Sequence, residues 1–233
     1  MSKPVLIEHP NFQALSDAVT GVLVDACNNS RKPLASLVLA GGGTPMPIYE
    51  QLATSPLDWA NIQIIASDER WVAPDHAASN QQQLLQRFAP TGARLLPLVP
   101  EQAGSQPGIE TAMQALACVD GAFDACLLGM GGDGHFASLF PGATQLISAL
   151  DPDSDQAVTT LLPDPLPAEA PFARVSLTLS RLLNSDTLLL VITGSGKRAV
   201  LERAMQADAD PEQLPVAALL RAAGDRLQIH WSP

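Results

Sequence analysis

Apolar residues along this chain fall into two alternating patterns. Residues 11–27 place Phe12, Leu15, Ala18, Val19, Val22, Leu23 and Ala26 at helical spacing. Asn11 suits the cap of that helix, and Asn28-Asn29 its stop. Residues 34–40 then form a short, nearly all-apolar run, the pattern of a strand buried on both faces. The glycine-rich stretch 41–45 breaks it, and 46–53 again reads as helix. The alternation continues with a strand at 62–66, a helix at 78–88, a strand at 95–99, a helix at 109–119 and a strand at 123–128. Residues 143–171 carry five prolines and several acids, and read as loop. Beyond them come strands at 175–179 and 187–192, a helix running to Met205, a short helix at 215–223 and a last strand at 227–231.

Strands alternating with helices predict an α/β fold: a mostly parallel sheet with helices on both faces. Neither an internal repeat nor a low-complexity linker interrupts it, so residues 1–233 read as a single domain.

Composition narrows the class. Of 233 residues, 24 are acidic and 13 basic, a formal charge of −11, which argues against nucleic acid or an anionic membrane as partner. The chain is 46% hydrophobic and only 16% charged, too apolar for a disordered protein. Aromatics make up 4%, so the core must be built from Leu, Val, Ile and Ala. The apolar residues between Lys3 and Glu8 are too few for a signal peptide, and no apolar run is long enough to span a bilayer. Cys27, Cys118 and Cys126 sit in apolar stretches at spacings that fit no zinc motif; they read as small buried hydrophobes in a reducing compartment. A cytoplasmic location is expected.

Four polar clusters each follow a predicted buried strand. In an open α/β sheet such positions share the carboxyl edge, where ligands bind. Residues 41–44, Gly-Gly-Gly-Thr, are either a plain strand-to-helix turn or a backbone cradle for an anion at a helix N-terminus. No Gly-Lys-Ser/Thr closes the run, so it is not a P-loop. Asp68-Glu69-Arg70 is either a solvated charged end or a ligand contact, and Arg70 offers a planar fork for phosphate or carboxylate. Ser79-Asn80 could cap the next helix or touch ligand. Residues 129–134 match G-x-G-x-x-G only formally, because Pro141 follows too soon for a dinucleotide-binding helix. His135 follows at once, with Asp133 near enough to orient it or to hold the loop. Lys197 lies just inside a helix start, where a cation opposes the helix dipole; an anionic ligand would account for it, as would simple solvation. Arg198 projects about 100° away on that helix. His9, His76 and His230 have no comparable setting. Neither G-x-S-x-G nor H-E-x-x-H occurs, which disfavours serine and zinc hydrolases.

Taken together these blocks resemble the signatures of the 6-phosphogluconolactonase family. They comprise residues 41–45, 67–70 with Ser79-Asn80, 128–135 with 137–141, and 193–197, in the family's order. The resemblance implies a three-layer, Rossmann-like sheet and hydrolysis of 6-phospho-D-glucono-1,5-lactone to 6-phosphogluconate in the oxidative pentose phosphate pathway, with no metal or organic cofactor. It implies His135 as the catalytic residue, with Asp133 and Asp68 as further catalytic candidates. Gly42, Gly43, Thr44 and Lys197 would surround the phosphate, and Arg70, Gly131 and Arg174 would contact substrate. Arg174 follows a segment that matches poorly. The wider superfamily includes glucosamine-6-phosphate deaminase, whose sites carry an aromatic after Asp-Glu where this chain has Arg70. Two alternatives therefore stand: a deaminase-like enzyme, and a non-catalytic sugar-phosphate sensor. Oligomeric state is not legible.

Overall fold

The computed structural model describes residues 3–104, 106–163 and 171–233. In chain order its strands are β1 (Val5–Glu8), β2 (Ala35–Leu39), β3 (Ile62–Ala66), β4 (Asp68–Arg70), β5 (Arg94–Leu96), β6 (Phe123–Gly129), β7 (Val158–Leu161), β8 (Arg174–Leu177), β9 (Ser185–Thr193) and β10 (Leu227–Ser232). Its helices are α1 (Phe12–Asn28), α2 (Met46–Ala53), α3 (Asn80–Phe88), α4 (Glu110–Leu116), α5 (Leu146–Ala149), α6 (Leu179–Leu183), α7 (Gly194–Ala204) and α8 (Val216–Ala223).

Seven strands form one sheet in the order β1-β10-β9-β6-β2-β3-β5, and every pairing in it is parallel. Every residue of β2 and of β3 is buried. Successive side chains point to opposite faces, so both faces of the sheet are covered, as its all-apolar strands require. Helix α1 packs on α2 and against β6 and β10; α8 packs on α6 and α7. One apolar core runs from Leu15 to Ile229. Asn11 caps α1 as expected, its Oδ1 accepting from the Ala14 N–H at 2.9 Å.

Several expectations need correction. Asp68–Arg70 is a strand, not a loop. It pairs antiparallel with β8, and β8 with β7, in a second sheet ordered β4-β8-β7. The segment expected to be loop thus contributes β7 and α5; its residues 164–170 lie outside the described residues. Strand β8 ends at Leu177, because Thr178 caps α6 by accepting from the Arg181 N–H. Strand β1 was not anticipated: four residues at a sheet edge carry too little pattern to stand out. Of the cysteines only Cys126 is buried; Cys27 is half-buried and Cys118 exposed. Cys118 lies just past α4, beyond the stretch its apolar neighbours bury.

Candidate active site

The strands ahead of the four polar clusters are β2, β3, β6 and β9. They are immediate neighbours in the sheet and run parallel, so their carboxyl ends lie side by side. Above them is a cleft of about 220 Å³.

The first wall is the glycine loop between β2 and α2. Gly41, Gly42, Gly43 and Thr44 all line the cleft. Gly42 has φ +93°, a conformation that side-chain-bearing residues rarely adopt. A Cβ at Gly41 would fall 2.0 Å from Asn80 Oδ1, so that glycine is what lets α3 approach. Buried Tyr49 ties α2 to the strand end by donating to the Ala40 carbonyl at 2.9 Å.

The second wall is β4. Asp68 and Arg70, two residues apart, both face the cleft. Asp68 is buried; Ser67 Oγ donates to its Oδ1 at 2.8 Å and Ser138 Oγ to its Oδ2 at 2.5 Å. Arg70 Nη1 donates to the Ala78 carbonyl at 2.7 Å and to Asn80 Oδ1 at 2.8 Å. The Arg70↔Arg174 register of β4 and β8 brings a second guanidinium beside it. Arg174 is 2% exposed, and burial pulls its pKa down to about 10, with Asp68 opposing that shift.

The third wall is the turn after β6. Gly131 N–H donates to the His135 carbonyl at 2.9 Å, closing the loop. His135 Nδ1 lies 2.6 Å from Asp133 Oδ1, and the His135 N–H reaches the same oxygen at 3.1 Å. Burial pushes the Asp133 pKa up, but these bonds and the imidazole outweigh it and hold the carboxyl below its ordinary value. Phe140 lies against the imidazole, ring centroids 4.1 Å apart. Ala137, in the same wall, has φ +47°, a left-handed backbone unusual for a residue with a Cβ. Local strain of this kind clusters at functional sites.

Lys197, on the first turn of α7, completes the cleft. Burial lowers the pKa of its ammonium. Arg198 points away, to Glu8 and Glu202.

The structure therefore gathers Gly42, Gly43, Thr44, Asp68, Arg70, Gly131, His135, Arg174 and Lys197 around one cavity. Asp133 stands behind His135 and does not line it. Ser79-Asn80 does both things considered for it: Ser79 caps α3, and Asn80 lines the cleft. Met130, Ser138 and Phe140 also line it. No charge or periodicity marks them, and the family blocks containing them were their only signal. Among the described residues no group of three or more His, Cys, Asp or Glu is placed to hold a metal ion, and no helix is long and apolar enough to cross a membrane.

Residues 10–231 match the family model described as glucosamine-6-phosphate isomerases/6-phosphogluconolactonase. The chain is 35% identical over 233 residues to a 6-phosphogluconolactonase of Rhizobium meliloti, covering 98% of this chain and 97% of that one. It is 39% identical over 206 residues to a 6-phosphogluconolactonase of Pseudomonas putida, covering 87% and 81%. A crystal structure of a 6-phosphogluconolactonase from Shewanella baltica superposes with a TM-score of 0.87 at 29% identity, covering 99% and 98%. By sequence along nearly its whole length, and by fold, the chain belongs to the glucosamine-6-phosphate isomerase/6-phosphogluconolactonase family.

Proposed function

We infer that this chain hydrolyses 6-phospho-D-glucono-1,5-lactone to 6-phosphogluconate, the lactonase step of the oxidative pentose phosphate pathway. The observation that carries the reading is the Asp133–His135 pair set in a cleft that also holds a glycine loop and three cations, Arg70, Arg174 and Lys197. Asp133 takes the Nδ1–H, which leaves Nε2 as the basic nitrogen of a neutral imidazole. The substrate phosphate sits against the 41–44 backbone and Lys197. Nε2 removes a proton from water as its oxygen bonds to C1 of the lactone. The carbonyl oxygen becomes an oxyanion, and Arg70, Arg174 or a loop N–H stabilises it. The C1–O5 bond then breaks, and the imidazolium returns its proton to the departing ring oxygen. Positioned general base catalysis contributes about 10²–10⁴-fold. Each oxyanion donor adds roughly 3 kcal/mol.

A net charge of −11 repels an anion at long range, so the local cluster of cations must reverse the field inside the cleft. Arg70 in place of an aromatic supports the lactonase over the deaminase reading. The continuous apolar core supports residues 1–233 as one catalytic unit. The free thiols Cys27, Cys118 and Cys126 support a reducing, cytoplasmic setting.

The test couples glucose-6-phosphate dehydrogenase, which generates the lactone, to timed appearance of 6-phosphogluconate. Acceleration over spontaneous hydrolysis, lost in His135→Ala with binding kept, is the expected result. A wild-type rate equal to the spontaneous one rejects the activity. Ammonia release from glucosamine 6-phosphate would replace it with the deaminase reading.

A further inference from the structure

Glu69 sits between two residues that face the cleft, yet the pleat of β4 turns it to the other side of the strand. It is 2% exposed. The Arg174 guanidinium attracts it electrostatically. Its carboxylate accepts from four donors: the N–H groups of Arg70 at 2.7 Å, Asn80 at 2.8 Å and Gln81 at 2.6 Å, and Ser79 Oγ at 2.9 Å. Three of the four belong to the start of α3, so one side chain fastens that helix end to β4. Ser79 Oγ in turn accepts from the Gln82 N–H at 3.0 Å. Burial nevertheless leaves the Glu69 carboxyl above its ordinary pKa, against the pull of those donors.

What this attachment holds in place is Asn80. Its Nδ2 donates to the Asp68 carbonyl at 2.8 Å, its Oδ1 accepts from Arg70 Nη1 at 2.8 Å, and its amide packs on Gly41. Asn80 thus touches the glycine loop, the Asp68 backbone and the Arg70 guanidinium at once. A sheared α3 would release all three.

We propose that Glu69 is a positioning residue of the active site: by fastening the first turn of α3 to β4 it fixes Asn80, and through Asn80 the Arg70 guanidinium, in the orientation that meets the substrate. This rests on the lactonase reading of the cleft. A carboxylate suits the task because it accepts from every donor presented to it, whereas an amide would turn N–H groups toward N–H groups.

The test is a double-mutant cycle in kcat/KM for the lactone, with Glu69→Gln and Arg70→Ala separately and together. Glu69→Gln alone should lower kcat/KM about tenfold, the size expected when charge-assisted hydrogen bonds are loosened. In the Arg70→Ala background it should change kcat/KM less than about twofold, because coupled residues are non-additive. Ser79→Ala removes one donor and keeps the carboxylate; it should give a smaller loss that also vanishes with Arg70→Ala, and it serves if Glu69→Gln does not fold. Equal losses in both backgrounds would make Glu69 a support of the fold alone and overturn the proposal, as would an unchanged Glu69→Gln enzyme. A wild-type protein that fails to accelerate lactone hydrolysis would instead reject the lactonase reading, so the two failures are distinguishable.

Discussion

Asp133 Oδ1 lies 2.6 Å from His135 Nδ1, and of the two only His135 lines the cleft. In the proposed mechanism the pair fixes which nitrogen is basic. Asp133→Asn can present an N–H to Nδ1 and favour the wrong tautomer. We expect kcat to fall by about 10²–10⁴-fold, the range set by general base catalysis, with KM within about twofold of wild type. Steady-state kinetics with spontaneous hydrolysis subtracted decides it. An unchanged kcat would show that Asp133 only holds the loop.

Gly131 leaves the imidazole room to lie where it does. A Cβ there would come 2.2 Å from His135 Nδ1 and 2.6 Å from Asp133 Oδ1. Its φ is not positive, so alanine fits the backbone and strains only the His135–Asp133 pair. Gly131→Ala should cost at least about tenfold in kcat, since small misplacements at a reacting centre are expensive. The melting temperature should stay within a few degrees.

The Lys197 ammonium is half-buried, and among the described residues nothing accepts from it. Folding disfavours its charged form. Its pKa is therefore lower folded than unfolded, and the cost is carried at every pH below the folded value, neutral pH included. Lys197→Met should therefore raise the melting temperature. KM should rise at least about tenfold, the loss of a charge-assisted bond. Inorganic phosphate should stabilise the wild type and not the variant. An unchanged KM would remove Lys197 from the phosphate site.

Outside the cleft lining, His230 Nδ1 faces His9 Nε2 at 3.0 Å with the rings stacked, and its own Nε2 is buried with no partner among the described residues. Burial first, and His9 second, pull the His230 pKa down to about 4 from 6.5. The unfolded chain binds that proton more readily than the folded one. Stability from this group is thus full above about pH 6.5 and drains away as pH falls toward 4, by about 3 kcal/mol in all. Denaturant titrations from pH 4 to 7 should show this slope, and His230→Phe should flatten it. An equal slope in the variant would assign the acid sensitivity elsewhere.

Much of this architecture is legible in the residue order. Apolar runs marked β2, β3, β6 and β9 because strands covered on both faces have no polar alternation to confuse with anything else. The glycine, Gly-His and lysine clusters followed from what comes directly after those runs. Strand β4 was hidden for the opposite reason. Three charged residues carry no hydrophobic signal, and their partner β8 lies about a hundred residues on, so only the tertiary pairing makes them a strand. The role of Glu69 was hidden with it, since a strand's pleat is what separates it from Asp68 and Arg70. The His9–His230 contact joins the two ends of the chain, a separation at which local pattern is silent.

The order β9-β6-β2-β3 at the centre of the sheet bears on how the protein is made. The ribosome delivers β2 and β3 well before β9, which must dock on β6 to bring Lys197 over the glycine loop. A chain arrested before that strand would already hold the glycine cradle and the imidazole, yet could not grip a phosphorylated sugar. Activity in this design should switch on abruptly once β9 and Lys197 have been translated, rather than build up piece by piece.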